Sequence, residues 1–301
     1  MRLLLRLSRR HCVFEKEDTI PLSDDVFRLI RDIIKDYCGL YFDDGSRYLL
    51  EKRLARRIQN LHLDDFRDYY RFIRYDKNSE EELAAIIDLL TVNETYFFRE
   101  QNQLKAFSEE ILEELREKNR DRRSLRIWSA GCSTGEEPYT IAMLIQEKGV
   151  FGDWDIEIYG SDINQRVLHA ARKGIYRRNS FRTAEERYIK RYFTEEDGSY
   201  RIADGVKRYV NFSCLNLLDS FRTRFLGKMD VILCRNVLIY FDGPSRKKVI
   251  ENFYDRLVEG GYLLLGHAES LINISTAFTL KHFKNDMVYQ KPQSKNPGNR
   301  H

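Results

Sequence analysis

From about residue 125 onward the chain alternates strand, turn and helix, and this alternation limits its fold more than any other feature. "LRIWSAGCSTGEEPYTIAMLIQEKG" is a short apolar strand, a Gly/Ser turn and a helix, and "WDIEIYGSDINQRVLHAARKG" repeats that order. "MDVILCRNVLIYF" supplies a third strand, and "SRKKVIENFYDRLVEGGYLLLG" a helix and a fourth strand. Such alternation predicts a parallel sheet flanked by helices. The closing stretch, "AFTLKHFKNDMVYQKP", reads as two strands joined by a turn, an antiparallel hairpin at the sheet's edge. Between the second and third units lies an insertion over about 174–216. It carries a helix, "TAEERYIKRYF", and two alternating strands, "SYRIA" and "KRYVNFS", and is expected to form a small antiparallel subdomain.

The residues before this region follow a helical period. "LSDDVFRLIRDIIKDYCGL" places Val26, Ile30, Ile33 and Ile34 at helical spacing behind a capping Ser23 and acids in the first turn, with Gly39 as the stop. "SRYLLEKRLARRIQNL" follows behind Ser46, then "DDFRDYYRFIRYD" and "SEEELAAIIDLL". Residues 21–90 are therefore expected to form a small all-helical domain. Residues 1–20, despite the brief apolar run "MRLLL", lack a signal-peptide core and cleavage site and are expected to be a poorly ordered extension. Residues 293–301 are expected to be a disordered tail.

The loop "SAGCSTGEE" falls at the carboxyl end of the first strand, where open α/β sheets bind ligands. A P-loop needs Lys-Ser/Thr after its last glycine, but Gly135 is followed by Glu136 and Glu137. A dinucleotide loop reads G-x-G-x-x-G, whereas Gly131 and Gly135 are spaced G-x-x-x-G, and carboxylates at a helix N-terminus repel a pyrophosphate. S-adenosylmethionine has no phosphate and carries a sulfonium and an ammonium, so acids near its amino-acid end make electrostatic sense. Asp162, in "YGSDI" at the end of the second strand, is placed to accept from both ribose hydroxyls. The competing reading leaves Glu136 and Glu137 only complementing the helix dipole.

Arg235 and Asn236 follow the third strand, where the sheet should open onto a methyl donor. Enzymes that methylate exocyclic base amines typically carry an Asn/Asp-Pro-Pro-aromatic turn there. This chain has "RNVLIYF", which with a formal net charge of only +4 lowers a nucleic-acid reading. The five cysteines form no CxxC pair and no His/Cys cluster has metal-ligand spacing, so a reducing cytoplasm and no metal are expected. No segment approaches the roughly 20 apolar residues of a membrane span.

"TVNETYFFRE", "IWSAGCSTGEEPYTIAM", "GSDI", "GIYR", "NLLD", "CRNVLIYF" and "GHAES" occur in the order found in the CheR-type chemotaxis protein methyltransferases. The chain resembles that family from about Asp25 to Tyr289. The resemblance implies an N-terminal helical domain followed, over 91–292, by a Rossmann-like class I methyltransferase domain with a terminal antiparallel hairpin and a small antiparallel insertion. It implies methyl transfer from S-adenosylmethionine to glutamate side chains on the cytoplasmic helices of chemoreceptors, giving glutamate methyl esters and S-adenosylhomocysteine. Donor-binding positions fall on Asn93, Thr95, Arg99, Glu137, Asp162, Asn216, Leu217, Arg235 and Asn236. Arg99 and Tyr240 match positions close to the reacting centre. Some family members also hold a receptor-tail peptide on the insertion. A monomer is expected.

The chemistry suits these residues. A carboxylate is already a nucleophile at neutral pH and needs no general base. Arg99 is expected to orient a carboxylate, the donor's or the substrate's. Arg53, Arg56 and Arg57 lie along one helix whose Leu50, Leu54 and Ile58 face the core, and with the resemblance they read as an electrostatic dock for acidic receptor helices. Tyr96, Phe97 and Phe98 are expected to anchor their segment between the two domains. A methyltransferase acting on RNA or a small acid, and a non-catalytic sensor of the donor, are the rival readings.

Overall fold

The computed structural model describes residues 20–293; the expected extension and tail fall on 1–19 and 294–301, outside the described residues but for their inner ends. Four helices open the chain: α1 (Asp24–Cys38), α2 (Arg47–Asn60), α3 (Phe66–Tyr75) and α4 (Ser79–Leu90). Each buries one stripe. Val26, Phe27, Ile30 and Ile34 of α1 meet Leu50, Leu54 and Ile58 of α2, Tyr69 of α3 and Ile86 of α4. Ile33, expected in that stripe, is only packed against its margin. Ser23 and Ser46 stand at helix starts, yet neither side chain caps: both hydroxyls donate to a nearby carboxylate, Asp25 and Asp43. Of these four helices, the one with a side-chain-bonded cap is α3, where Asp65 accepts from the backbone of Arg67 and Asp68.

Residues 91–100 lead into α5 (Gln101–Ala106), one π-helical turn (Phe107–Ile111) and α6 (Leu112–Lys118). The alternating region then runs β1 (Ser124–Ala130), α7 (Glu136–Lys148), β2 (Asp155–Asp162) and α8 (Gln165–Lys173). The insertion contributes β3 (Ile175–Arg177), α9 (Glu186–Tyr192), β4 (Phe193–Glu196), β5 (Ser199–Ile202) and the single turn α10 (Asp204–Lys207). The chain continues as β6 (Val210–Cys214), α11 (Ser220–Arg224), β7 (Met229–Cys234), α12 (Gly243–Arg256), β8 (Leu257–Leu265), β9 (Thr279–His282) and β10 (Met287–Gln290).

The main sheet has seven strands in the order β6-β2-β1-β7-β8-β10-β9, parallel from β6 to β8 and antiparallel where β10 meets β8 and β9. Its central strand β7 is buried at every position, as a strand covered on both faces must be. One core cluster packs α7 and the insertion on one face, and another packs α12 on the other.

The insertion differs from expectation. "KRYVNFS" does not join the antiparallel subdomain: its β6 pairs in parallel with β2, Ile158 opposite Val210, at the edge of the main sheet. The subdomain sheet is β3-β5-β4, with "GIYR" as its outer strand. An alternating strand looks the same in either sheet, and pairing partners decide between them.

Candidate functional site

The carboxyl ends of β6, β2, β1 and β7 open onto a cleft of about 300 Å³, closed on one side by the helical domain. Asn93, Thr95, Arg99, Glu137, Asp162, Asn216, Leu217, Arg235, Asn236 and Tyr240 all line it, and so does Arg53.

The loop after β1 is shaped by its two glycines. Gly131 has φ +83°, and a Cβ there would lie 2.4 Å from Val237 Cγ2. Gly135 has φ +91°, and its Cβ would lie 2.9 Å from the Ala171 Cβ. Both serve close packing of the loop against its neighbours. Ser133 follows with φ 49° and donates its backbone N–H to Asp162 Oδ2 at 2.8 Å. Asn164 N–H donates to Asp162 Oδ1 at 2.9 Å. Burial pushes the Asp162 carboxyl up from its ordinary value, and these N–H groups oppose the shift.

The first turn of α7 is filled by the chain's own carboxylates. Glu136 is 2% exposed and accepts from Thr134 Oγ1 at 2.6 Å and Ser180 Oγ at 3.1 Å. Burial raises its pKa. Glu137 accepts from Ser129 Oγ at 2.7 Å and from Arg235 Nη1 at 3.1 Å. Glu136 thus belongs to the helix end and the insertion, whereas Glu137 faces the cleft. A phosphate has no vacant helix N-terminus here.

Arg235 is held on several sides. Its Nη2 donates to the Arg99 carbonyl at 2.5 Å and to Glu100 Oε2 at 3.1 Å, and its Nε lies 3.4 Å from the same oxygen. Asn236, at φ 61°, has a buried Oδ1 with no hydrogen-bond partner. The backbone N–H groups of the turn at 236–239 are gathered by one side chain that sequence reasoning did not single out. Glu269 accepts from the backbone N–H groups of Asn236 (2.8 Å), Val237 (2.9 Å), Leu238 (2.7 Å), Ile239 (3.3 Å) and Gly266 (2.7 Å). Its only sequence signal is its place in "GHAES".

The segment 91–100 forms the near wall. Phe97 is fully buried, with its ring 4.8 Å from Tyr176, 5.0 Å from Phe181 and 5.0 Å from Phe193. Phe98 lies 4.3 Å from Tyr188. Phe97 and Phe98 anchor the segment to the insertion, rather than between the two domains as expected, because the insertion supplies the facing aromatic cluster. Tyr96 lies beneath Arg182 at 3.6 Å and near Arg99 at 5.6 Å. Arg99 donates to the Glu94 carbonyl at 3.0 Å. Burial raises the Tyr240 phenol, and the charge of nearby Arg99 pulls it back.

Bonds across the domains close the cleft. Asn216 Nδ2 donates to the Tyr37 carbonyl at 2.5 Å, and Tyr41 N–H donates to the Tyr240 carbonyl at 2.9 Å. Arg53 donates to the Leu89 and Leu90 carbonyls at 3.1 Å. Arg56 is exposed. Arg57, expected on the docking face, turns inward: its Nε and Nη2 reach Glu82 at 2.9 and 2.5 Å, and Tyr69 donates to the same carboxylate at 2.6 Å. Among the described residues no group of three or more His, Cys, Asp or Glu could hold a metal ion, and no helix is long and apolar enough to cross a membrane.

Acceptors dominate the inner cleft: Asp162, Glu137 and the unpartnered Asn236 Oδ1 suit hydroxyl and ammonium donors. With the parallel sheet and its terminal antiparallel hairpin, this defines an S-adenosylmethionine-dependent methyltransferase of Rossmann-like fold. Residues 93–286 match the family model described as CheR methyltransferase, SAM binding domain, and residues 25–91 match the CheR methyltransferase all-alpha domain. The chain belongs to the CheR methyltransferase family. It is 41% identical over 275 residues to chemotaxis protein methyltransferase 2 of Vibrio cholerae, covering 91% of this chain and 95% of that protein. It is 35% identical to the chemotaxis protein methyltransferase of Salmonella typhimurium, over 87% of this chain and 89% of that one. The Borreliella burgdorferi chemotaxis protein methyltransferase is also 35% identical, over 83% of this chain and 89% of that one.

Proposed function

We propose that the protein methylates glutamate side chains of chemoreceptors, with S-adenosylmethionine as donor. The observation that carries this reading is the division of charge in the cleft. The carboxylates Asp162 and Glu137 line its inner part, while Arg99 and Arg53 have no carboxylate partner among the described residues and line the same cleft. A cationic donor fits the first set and an acidic substrate the second.

S-adenosylmethionine supplies an electrophilic methyl carbon on a sulfonium. Asp162 binds the ribose hydroxyls, and Glu137 and Arg235 take the ammonium and carboxylate of the amino-acid end. Asn93, Thr95, Asn216, Leu217 and Asn236 complete that wall. A glutamate carboxylate oxygen forms the bond to the methyl carbon while the carbon–sulfur bond breaks and its electron pair stays on sulfur. No proton moves. Arg99 and Tyr240 hold the incoming carboxylate in line, and the cleft limits the water that would otherwise stabilise the separated charges.

Receptor helices approach along Arg53 and Arg56. The edges of the β3-β5-β4 sheet offer strand addition for a receptor-tail peptide. The enzyme acts in the cytoplasm as a monomer. Incubation with labelled donor and purified chemoreceptor signalling domains tests the reading. Base-labile label on glutamates supports it; donor binding without transfer to any receptor overturns it in favour of a donor sensor.

A further inference from the structure

We propose that Glu100 is a positioning residue for the methyl donor: it fixes the Arg235 guanidinium so that one N–H remains for the donor's carboxylate. This rests on the donor-cleft reading above.

An arginine side chain has five N–H donors: one on Nε and two on each Nη. For Arg235, Nε and one Nη2 hydrogen go to Glu100 Oε2, at 3.4 and 3.1 Å. The other Nη2 hydrogen goes to the Arg99 carbonyl at 2.5 Å, and one Nη1 hydrogen goes to Glu137 at 3.1 Å. Among the described residues a single Arg235 N–H is left without a partner, on Nη1, beside the Glu137 carboxylate. An amino-acid zwitterion fits that pair, its carboxylate on Nη1 and its ammonium on Glu137. The guanidinium is planar, so holding its Nε–Nη2 side sets the direction of Nη1.

Glu100 divides its roles: its backbone carbonyl accepts from the Gln103 and Leu104 N–H groups at the start of α5, while its carboxylate turns to Arg235. Glu100 occupies the N-cap of α5, yet its side chain makes no cap bond. Its φ is 57°, a left-handed conformation that costs a non-glycine residue energy. The side chains of Glu100 and Arg235 are 11% and 3% exposed, so this is a buried ion pair. The remaining oxygen, Oε1, lies 3.9 Å from His267 Nδ1, and His267 Nε2 lies 3.6 Å from Asp286 Oδ2, a buried atom with no hydrogen-bond partner. Glu100 therefore stands behind Arg235, on the side away from Glu137, and Glu100 is absent from the residues that line the cleft.

Two variants separate the carboxylate from the backbone. Glu100→Gln keeps the size and removes the charge. Glu100→Gly removes the side chain and relieves the left-handed backbone. Both should raise the donor Kd, measured by calorimetry, by about ten- to a hundred-fold, the loss expected for hydrogen bonds to a charged group. At saturating donor, kcat and the receptor KM should stay within about twofold of wild type. Glu100→Asp should recover part of the donor affinity. Unchanged donor affinity in Glu100→Gly, with equal or higher thermal stability, would show that the residue only shapes the turn and would overturn the proposal. A fall in kcat with donor affinity intact would overturn it as well. If the wild-type protein itself bound no donor, the fault would lie in the proposed function.

Discussion

Asn216 and Tyr37 lie on different domains, and the Asn216 side-chain amide donates to the Tyr37 carbonyl at 2.5 Å. The other end of that amide, Oδ1, accepts from Leu218 N–H at 3.0 Å. One side chain thus ties the last turn of α1 to the wall of the cleft. Asn216→Leu would leave both backbone groups unpaired, at a cost of about 1–3 kcal/mol. Denaturant unfolding should show the loss of stability, and calorimetry a weaker donor complex.

Arg99, like Arg53, lines the cleft without a carboxylate partner among the described residues and is bonded instead to the Glu94 carbonyl. Its replacement by alanine should lower turnover about a hundredfold, as loss of a preorganised donor does, while donor affinity holds. Single-turnover methylation and calorimetry on the same variant check the two halves. Turnover at the wild-type level would remove Arg99 from the reaction.

Donor affinity should fall on acidification. Burial raises the Asp162 pKa, so protonation removes its charge and turns one acceptor oxygen into a donor at a higher pH than for an ordinary aspartate. Calorimetry from neutral to acidic pH should find an inflection above that ordinary value, and Asp162→Asn should abolish it. In the donor-free protein the sign is reversed. The folded state binds this proton more tightly than the unfolded state, so the stability from this group is fully present below the unfolded pKa and is lost as pH rises through the folded one.

Glu269→Gln should loosen the turn at 236–239 without touching substrate. A glutamine offers one acceptor oxygen where the carboxylate serves Asn236, Val237, Leu238, Ile239 and Gly266 with two. A loss of about 1–3 kcal/mol is expected. Hydrogen exchange should speed up at those amides, and the donor Kd should rise.

The neighbours Arg56 and Arg57 should separate docking from stability. Arg57→Ala strands Glu82, which is 4% exposed, and should cost about 3 kcal/mol of folding stability. Arg56→Glu should leave the melting temperature nearly unchanged and raise the receptor KM, with a smaller salt dependence of methylation. Salt-independent methylation by the wild type would count against the dock.

What the sequence made readable was what local pattern dictates. Asp162 and Arg235 could be placed because strand ends in a parallel sheet share one side. The inward turn of Arg57 could not be read, since its cause, Glu82, lies on another helix. The bonding of Glu269 escaped for the same reason: four of its five partners are backbone groups some thirty residues earlier. Phe97 and Phe98 read correctly as anchors, but what they anchor to depends on how the insertion folds back. The strand "KRYVNFS" was visible as a strand, and only tertiary pairing assigned it to the main sheet.

The seam formed by Tyr37 with Asn216 and by Tyr41 with Tyr240 bears on any attempt to redirect the enzyme. Grafting the helical domain of a relative also replaces one face of the cleft. A chimera joined near residue 92 inherits two halves of a lock cut for different keys. Residues 37–41 and the stretches around Asn216 and Tyr240 should therefore be exchanged together, as a matched set.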